Sequence, residues 1–229
     1  MNKHSTLLDK ITNSQFIDEP FPHLLIEDFF NTYDFVSIIN SNQIKLKSFE
    51  DTQSLIDHCL SNGYSILDNW GCTKDIDTYI KLLNENTFDD NKLEGKGLTL
   101  NLTKPDAFLQ GVIDFFKSDV LVETLKLKFN IKDDTKVTAN IHKYLTNYEI
   151  SPHPDIRQKA LTFLLNINTV DYVNAHRGNS HTKLCKVKND YKYVTDFWKN
   201  NPNINTDNIP WDWTETVKEH YQNNSLLIF

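Results

Sequence analysis

The feature that most constrains this chain is a change of hydrophobic period at Lys132-Asp133-Asp134. Before it, apolar residues recur at helical spacing. After it, they alternate one by one or form short continuous runs. A pattern that lines one face of a helix scatters over both faces of a strand, so the two halves cannot share one kind of element. Upstream, LLIEDF within 21–30 predicts a short strand leading into a helix at Asn31 or Thr32, with Phe35, Ile38 and Ile39 on its apolar face. Residues 50–61 predict a second helix, with Glu50 and Asp51 in its first turn and Asn62-Gly63 as its stop. KDIDTYIKLLNE predicts a third, striped by Ile76, Tyr79, Ile80 and Leu83. LTLNLT (98–103) alternates as a strand, and two more helices fit 105–129, the second starting near Ser118. Helices first and strands afterwards predict an α+β architecture in which helices support one side of a sheet sandwich or barrel.

The downstream strands have readable faces. TKVTANIHKYL (135–145) puts Val137, Ala139 and Ile141 on one side and Thr138, Asn140, His142 and Tyr144 on the other. KALTFLLNIN (159–168) is apolar on both sides, with Leu161, Phe163, Leu165 and Ile167 on one and Thr162, Leu164 and Asn166 on the other, as for a strand covered twice. HTKLCKVK (181–188) and SLLIF (225–229) are further strands. Residues 197–213, FWKNNPNINTDNIPWDW, read as a long polar loop with Trp at both ends.

Bulk composition excludes more than it assigns. In 229 residues the net charge is −7, with acidic and basic residues interspersed, so no nucleic-acid partner is indicated. Aromatic content of 12% suffices for a core and argues against disorder. Three cysteines, Cys59, Cys72 and Cys185, form no close pair, which disfavours a disulfide framework or a zinc knot. MNKHSTLLDKITNSQF has no continuous apolar stretch and does not read as a signal peptide, and no apolar run approaches the roughly 20 residues needed to cross a bilayer. The expectation is a soluble cytoplasmic protein.

His153-Pro154-Asp155 stands just before the strand KALTFLLNIN. With 8 histidines in the chain, chance alone yields about one His-x-Asp triplet, so the triplet by itself carries no weight. Its context adds some. In extended chain, residues i and i+2 point the same way, and Pro154 biases His153 toward extended geometry. An imidazole and a carboxylate so paired can bind one ion, and a second imidazole would complete the facial triad of non-haem Fe(II) oxygenases.

NIHKYLTNYEISPHPDIRQKALTFLLNIN resembles the metal-binding segment of Fe(II)/2-oxoglutarate-dependent oxygenases of the prolyl-hydroxylase-like branch. The matching positions are Tyr144, His153, Asp155 and Thr162. PFPHLLIEDFF resembles the segment that precedes the family's supporting helices, HRGNSHTKL (176–184) its Gly-containing loop, and NNSLLIF the strand before its second metal histidine. Order and spacing supply the specificity.

The resemblance implies one oxygenase-like domain over 1–229, with 1–132 as helical support and 133–229 as a double-stranded β-helix, or jelly roll. It implies Fe(II) held by His153 and Asp155, 2-oxoglutarate as co-substrate beside Tyr144, Thr162 on the inward face of its strand, and Asn140 pointing into the barrel. The implied activity is hydroxylation of an unknown substrate by dioxygen, coupled to decarboxylation of 2-oxoglutarate, with ascorbate as an accessory reductant. The family's second metal histidine and its 2-oxoglutarate-binding basic residue come after the strand matched by SLLIF. The expectation is therefore a C-terminally incomplete member whose last strands are missing. Two other readings stay open: a non-catalytic jelly-roll binding module, and a hydrolase or isomerase on a cupin-like barrel with another divalent metal.

Overall fold

The computed structural model describes residues 5–45, 49–68, 73–89, 93, 95–168 and 182–229. Helices α1 (Ser5–Asn13), α2 (Thr32–Ile39), α3 (Thr52–Ser61), α4 (Ile76–Glu85), α5 (Ala107–Phe116) and α6 (Asp119–Phe129) precede Lys132. Five of these start the same way. Asn31, Asp51, Asp75, Asp106 and Ser118 each accept the amide three residues ahead through their side chains. Each such cap satisfies one of the backbone donors a helix start leaves open and stabilises it by about 1 kcal/mol. The ends are equally local. Asn86 and Asn130 adopt left-handed conformations after α4 and α6, and Gly63 (φ +90°) turns the chain out of α3.

The strands are β1 (Leu24–Ile26), β2 (Tyr64–Ile66), β3 (Thr99–Leu102), β4 (His142–Tyr144), β5 (Phe163–Leu165), β6 (Thr182–Val187), β7 (Thr214–His220) and β8 (Leu226–Ile228), and a further helix, α7 (Lys192–Asn200), lies between β6 and β7. Among the described residues they form three antiparallel sheets, ordered β1-β8-β5, β2-β3-β4 and β6-β7. The fold is α+β, as the change of period predicts.

β8 is the centre of the first sheet, with β1 and β5 on its two edges. All three of its residues are buried, which is why Leu226-Leu227-Ile228 is apolar throughout. Leu161, Phe163, Leu165 and Ile167 pack on the main core, the face expected from alternation. Phe163 stacks on Phe116 of α5 with ring centroids 5.1 Å apart. Asn224, at φ 55°, ties the start of β8 back to the chain after β1. Its side chain accepts the Phe30 amide and donates to the Phe30 carbonyl, both at 2.8 Å. The same core collects Ile11, Phe29, Ile56, Tyr79, Leu100, Leu109, Leu121, Ala139 and Ile141, so helices from the first half and strands from the second bury one another.

Several expectations need correction. Within 135–145 only His142–Tyr144 pairs as a strand, although burial alternates as expected, with Ala139, Ile141 and Leu145 buried and Thr138, Asn140, His142 and Tyr144 exposed. Residues 197–213 are not a loop throughout, because α7 covers their start and a 3-10 turn, Trp211–Trp213, their end. β2 and β7 were not expected. Tyr64–Ile66 is too short to show a period, and TETVKEH is polar, held as a strand by pairing with β6. Cys72, His176 and His181 lie outside the described residues, as does most of HRGNSHTKL.

Candidate functional site

Residues 151–156 form neither helix nor strand and run directly toward β5. His153 and Asp155, with Asn140, Tyr144 and Thr162, border one open cleft of about 2290 Å³. The loop that carries the pair is braced from the segment after α7. The Pro152 carbonyl accepts the Ile209 amide at 2.8 Å, and the Asp155 carbonyl lies 3.4 Å from the Thr206 hydroxyl. Arg157 donates to the carbonyls of Trp198 (2.7 Å), Ile204 (2.8 Å) and Asn201 (3.4 Å). Trp198 and Asn201 stand at the end of α7, where a helix leaves carbonyls with spare acceptor capacity, so Arg157 ties the end of α7 and the turn after it to the loop two residues beyond Asp155.

The imidazole of His153 is oriented. Its Nδ1 lies 2.8 Å from the Ser151 carbonyl, and a carbonyl can only accept. In its neutral form the ring therefore carries its proton on Nδ1 and keeps its lone pair on Nε2, the tautomer a ligating histidine needs. Ser151 is itself buried and fixed, its hydroxyl bonded to the Leu93 carbonyl and contacted by Asn208 at 3.1 Å.

Asp155 is held at both oxygens. Lys159 donates to Oδ1 at 2.8 Å and the Thr162 hydroxyl donates to Oδ2. Burial opposes its ionisation, but the bonds from Lys159 and Thr162 and the charges of Lys159 and His153 outweigh burial. They hold the carboxyl below its usual range. Thr162 is positioned by the sheet. Its amide and carbonyl exchange hydrogen bonds with Phe229, extending the β5–β8 ladder by one pair. Lys159, unlike Thr162, is half exposed and can swing away, and an ion pair of this kind contributes at most about 1 kcal/mol. Sequence reasoning missed both Lys159 and Arg157. The signal for Lys159 was its place four residues after Asp155, and for Arg157 there was none.

Tyr144 and Asn140 face the cleft from an open surface rather than from an enclosed interior. Tyr144 is 47% exposed and stacks on Tyr148, centroids 4.2 Å apart, with His142 at its edge. His220 is not part of this group. It ends β7, buried, with Nε2 2.7 Å from the Ser225 hydroxyl.

The donor set fits a divalent ion in part. An imidazole nitrogen of the right tautomer and a carboxylate that ionises readily stand two residues apart on one loop. Among the described residues no group of three His, Cys, Asp or Glu side chains is placed to hold one ion. Among the described residues, too, no helix is long and apolar enough to cross a membrane. No known family profile matches the chain, and neither any curated protein nor any solved structure does.

Proposed function

We propose that this chain is an Fe(II)- and 2-oxoglutarate-dependent dioxygenase, a hydroxylase, with its strands arranged as part of a jelly roll in one oxygenase-like domain. The observation that carries the reading is His153. Its Nδ1 is committed to the Ser151 carbonyl and its Nε2 has no partner among the described residues, beside an ionised Asp155, at the rim of a cleft roomy enough for a co-substrate and a substrate.

His153 and Asp155 would hold the metal, which when bound with 2-oxoglutarate and dioxygen supplies the oxidising power for C–H hydroxylation. The chain's own residues do the rest. The Ser151 carbonyl keeps the His153 ring from turning. Thr162 keeps one Asp155 oxygen aimed by its hydroxyl, and Lys159 neutralises the other until an ion takes its place. Tyr144 and Asn140 present a phenol and an amide to the cleft, groups able to hydrogen-bond a carboxylate of 2-oxoglutarate.

The test is an anaerobic titration of the full chain with Fe(II) and then 2-oxoglutarate, followed by visible absorption, with succinate measured after admitting air. A visible band that requires both additions is expected, and it should vanish in His153→Ala and Asp155→Ala. If the unmodified chain gives no band and binds neither addition by calorimetry, the dioxygenase reading falls and a non-catalytic binding module takes its place.

A further inference from the structure

β5 has the sequence of an inner strand and the place of an outer one. Among the described residues it pairs with β8 alone and stands at the edge of its sheet. Edge strands are commonly blunted by lysine or proline, which discourage further pairing. Residues 161–167, LTFLLNI, carry neither, nor any charge.

The ladder fixes where the free bonds of β5 point. Thr162 exchanges both backbone bonds with Phe229, and the Asn166 amide donates to the Ser225 carbonyl. On an antiparallel strand every second residue bonds to the same neighbour. The amides and carbonyls of Phe163 and Leu165 therefore point away from β8, and among the described residues nothing meets them. β4 is likewise the edge of the sheet β2-β3-β4. The Ile141 carbonyl accepts from Leu102 and the Leu145 amide donates to Leu98, so His142 between them turns its backbone groups outward.

Both edges border the one open cleft. Both sheets also rest on one core, through Ile141 and Leu145 on one side and Phe163 and Leu165 on the other. Val112, Ile113 and Phe116 of α5 and Val122 and Leu125 of α6 line the cleft too, which gives it an apolar wall. Its charge is of the other kind. Lys136, Lys183 and Lys192 border it without reaching an acid among the described residues, and of its acids Glu149 and Asp155 are already held by Lys96 and Lys159. A strand takes about 160 Å³ per residue at ordinary spacings, so about six residues fill less than half of the cleft's volume of about 2290 Å³.

From these edges we infer that the cleft is a docking site for an extended segment of a partner protein, added as a strand to the edge of β5, with alternate residues apolar toward α5 and α6 and acidic toward the lysines. The outward groups of Phe163 and Leu165 bond the segment's backbone whatever its sequence, and the apolar wall and the lysines select its side chains. The site stands independently of the dioxygenase reading, because strand pairing needs neither a metal nor His153 and Asp155.

The test is residue-resolved amide exchange of the full chain at pH 7, with and without a capped peptide of about nine residues alternating valine and glutamate. Without peptide, the amides of Phe163 and Leu165 should exchange far faster than those of Thr162 and Leu164, which face β8. With peptide at about ten times its Kd they should slow about tenfold, since about one molecule in ten keeps the edge open. A valine–lysine version should protect neither amide. The valine–glutamate peptide with every amide N-methylated, which keeps its side chains but cannot pair, should also protect neither. Exchange of Phe163 and Leu165 unchanged at the highest soluble peptide concentration would overturn the proposal, and so would equal protection by either control peptide. Protection of both amides that grows with protein concentration alone, alongside a dimer in sedimentation, would overturn it too, because the occupant would then be a second copy.

Discussion

His220 should make the fold sensitive to mild acid. Its Nε2 is 2.7 Å from the Ser225 hydroxyl, and that hydroxyl already donates to the Gln222 carbonyl at 2.5 Å. Ser225 therefore accepts, and Nε2 of His220 carries the proton. Nδ1 is buried with no partner among the described residues, so a second proton there would be a desolvated N–H with none of them to receive it. Burial, opposed by the bond to Ser225 and reinforced by the charge of Lys218, pushes the ring from 6.5 down to about 4. The unfolded ring takes a proton near 6.5 and the folded ring refuses it until about pH 4. The contribution to stability is full above pH 6.5 and is lost as pH falls toward 4. Its slope there approaches about 1.4 kcal/mol per pH unit, and the whole loss is about 3 kcal/mol, a sizeable share of a typical domain's stability. Urea unfolding of the unmodified chain and of His220→Gln, each from pH 7.5 to 4.5, isolates the effect, because the other histidines contribute equally to both. The gap between the two should change by about 2–3 kcal/mol over that range. A gap constant with pH would refute the account of a buried neutral ring.

Gly97→Ala should destabilise by about 2 kcal/mol or more, since φ is +86° and the added Cβ would lie 2.5 Å from the Tyr148 backbone, whereas Gly111→Ala inside α5 meets nothing within 4 Å and should stabilise by about 0.5–1 kcal/mol. Thermal melts of the two variants should move in opposite directions. Tyr79→Phe removes the 2.9 Å bond from a fully buried phenol to the Thr146 carbonyl and should cost about 1–3 kcal/mol in urea unfolding. Thr162→Val should raise the Asp155 carboxyl toward its ordinary value, because burial remains while one hydrogen bond is lost. Carbon-13 NMR titration of the side chain reads this directly, and an unmoved midpoint would remove Thr162 from the site.

The sequence by itself determined what depends on neighbours a few residues apart. Asp51, Asp75 and Ser118 set helix starts because a cap acts on an amide three residues away, and Asn62-Gly63 ended α3 for the same local reason. Strand parity put Ala139 and Ile141 on one side and Asn140 and Tyr144 on the other before any partner strand was known. It also put Leu161, Phe163, Leu165 and Ile167 on the core, although only three residues there pair as a strand. The stripe of Tyr193, Val194, Phe197 and Trp198 could have revealed α7, but that helix buries none of its residues, and a polar surround hid it.

Tertiary structure decided whatever depends on distant pairing. β7 is a polar strand only because β6 lies beside it, and β8 becomes a central strand only because β1 and β5 close on it from about 200 and about 60 residues away. At the candidate site the pattern is the same. The approach of Thr162 to Asp155 depends on the pairing of Thr162 with Phe229, and the reach of Arg157 to Trp198 and Ile204 joins segments about 40–50 residues apart. Whether His220 is solvated or sealed, and whether Lys143 finds a carboxylate or an aromatic ring, is likewise unreadable in the chain. Burial and charge pairing are properties of the assembled interior, and the residues that supply them are not sequence neighbours.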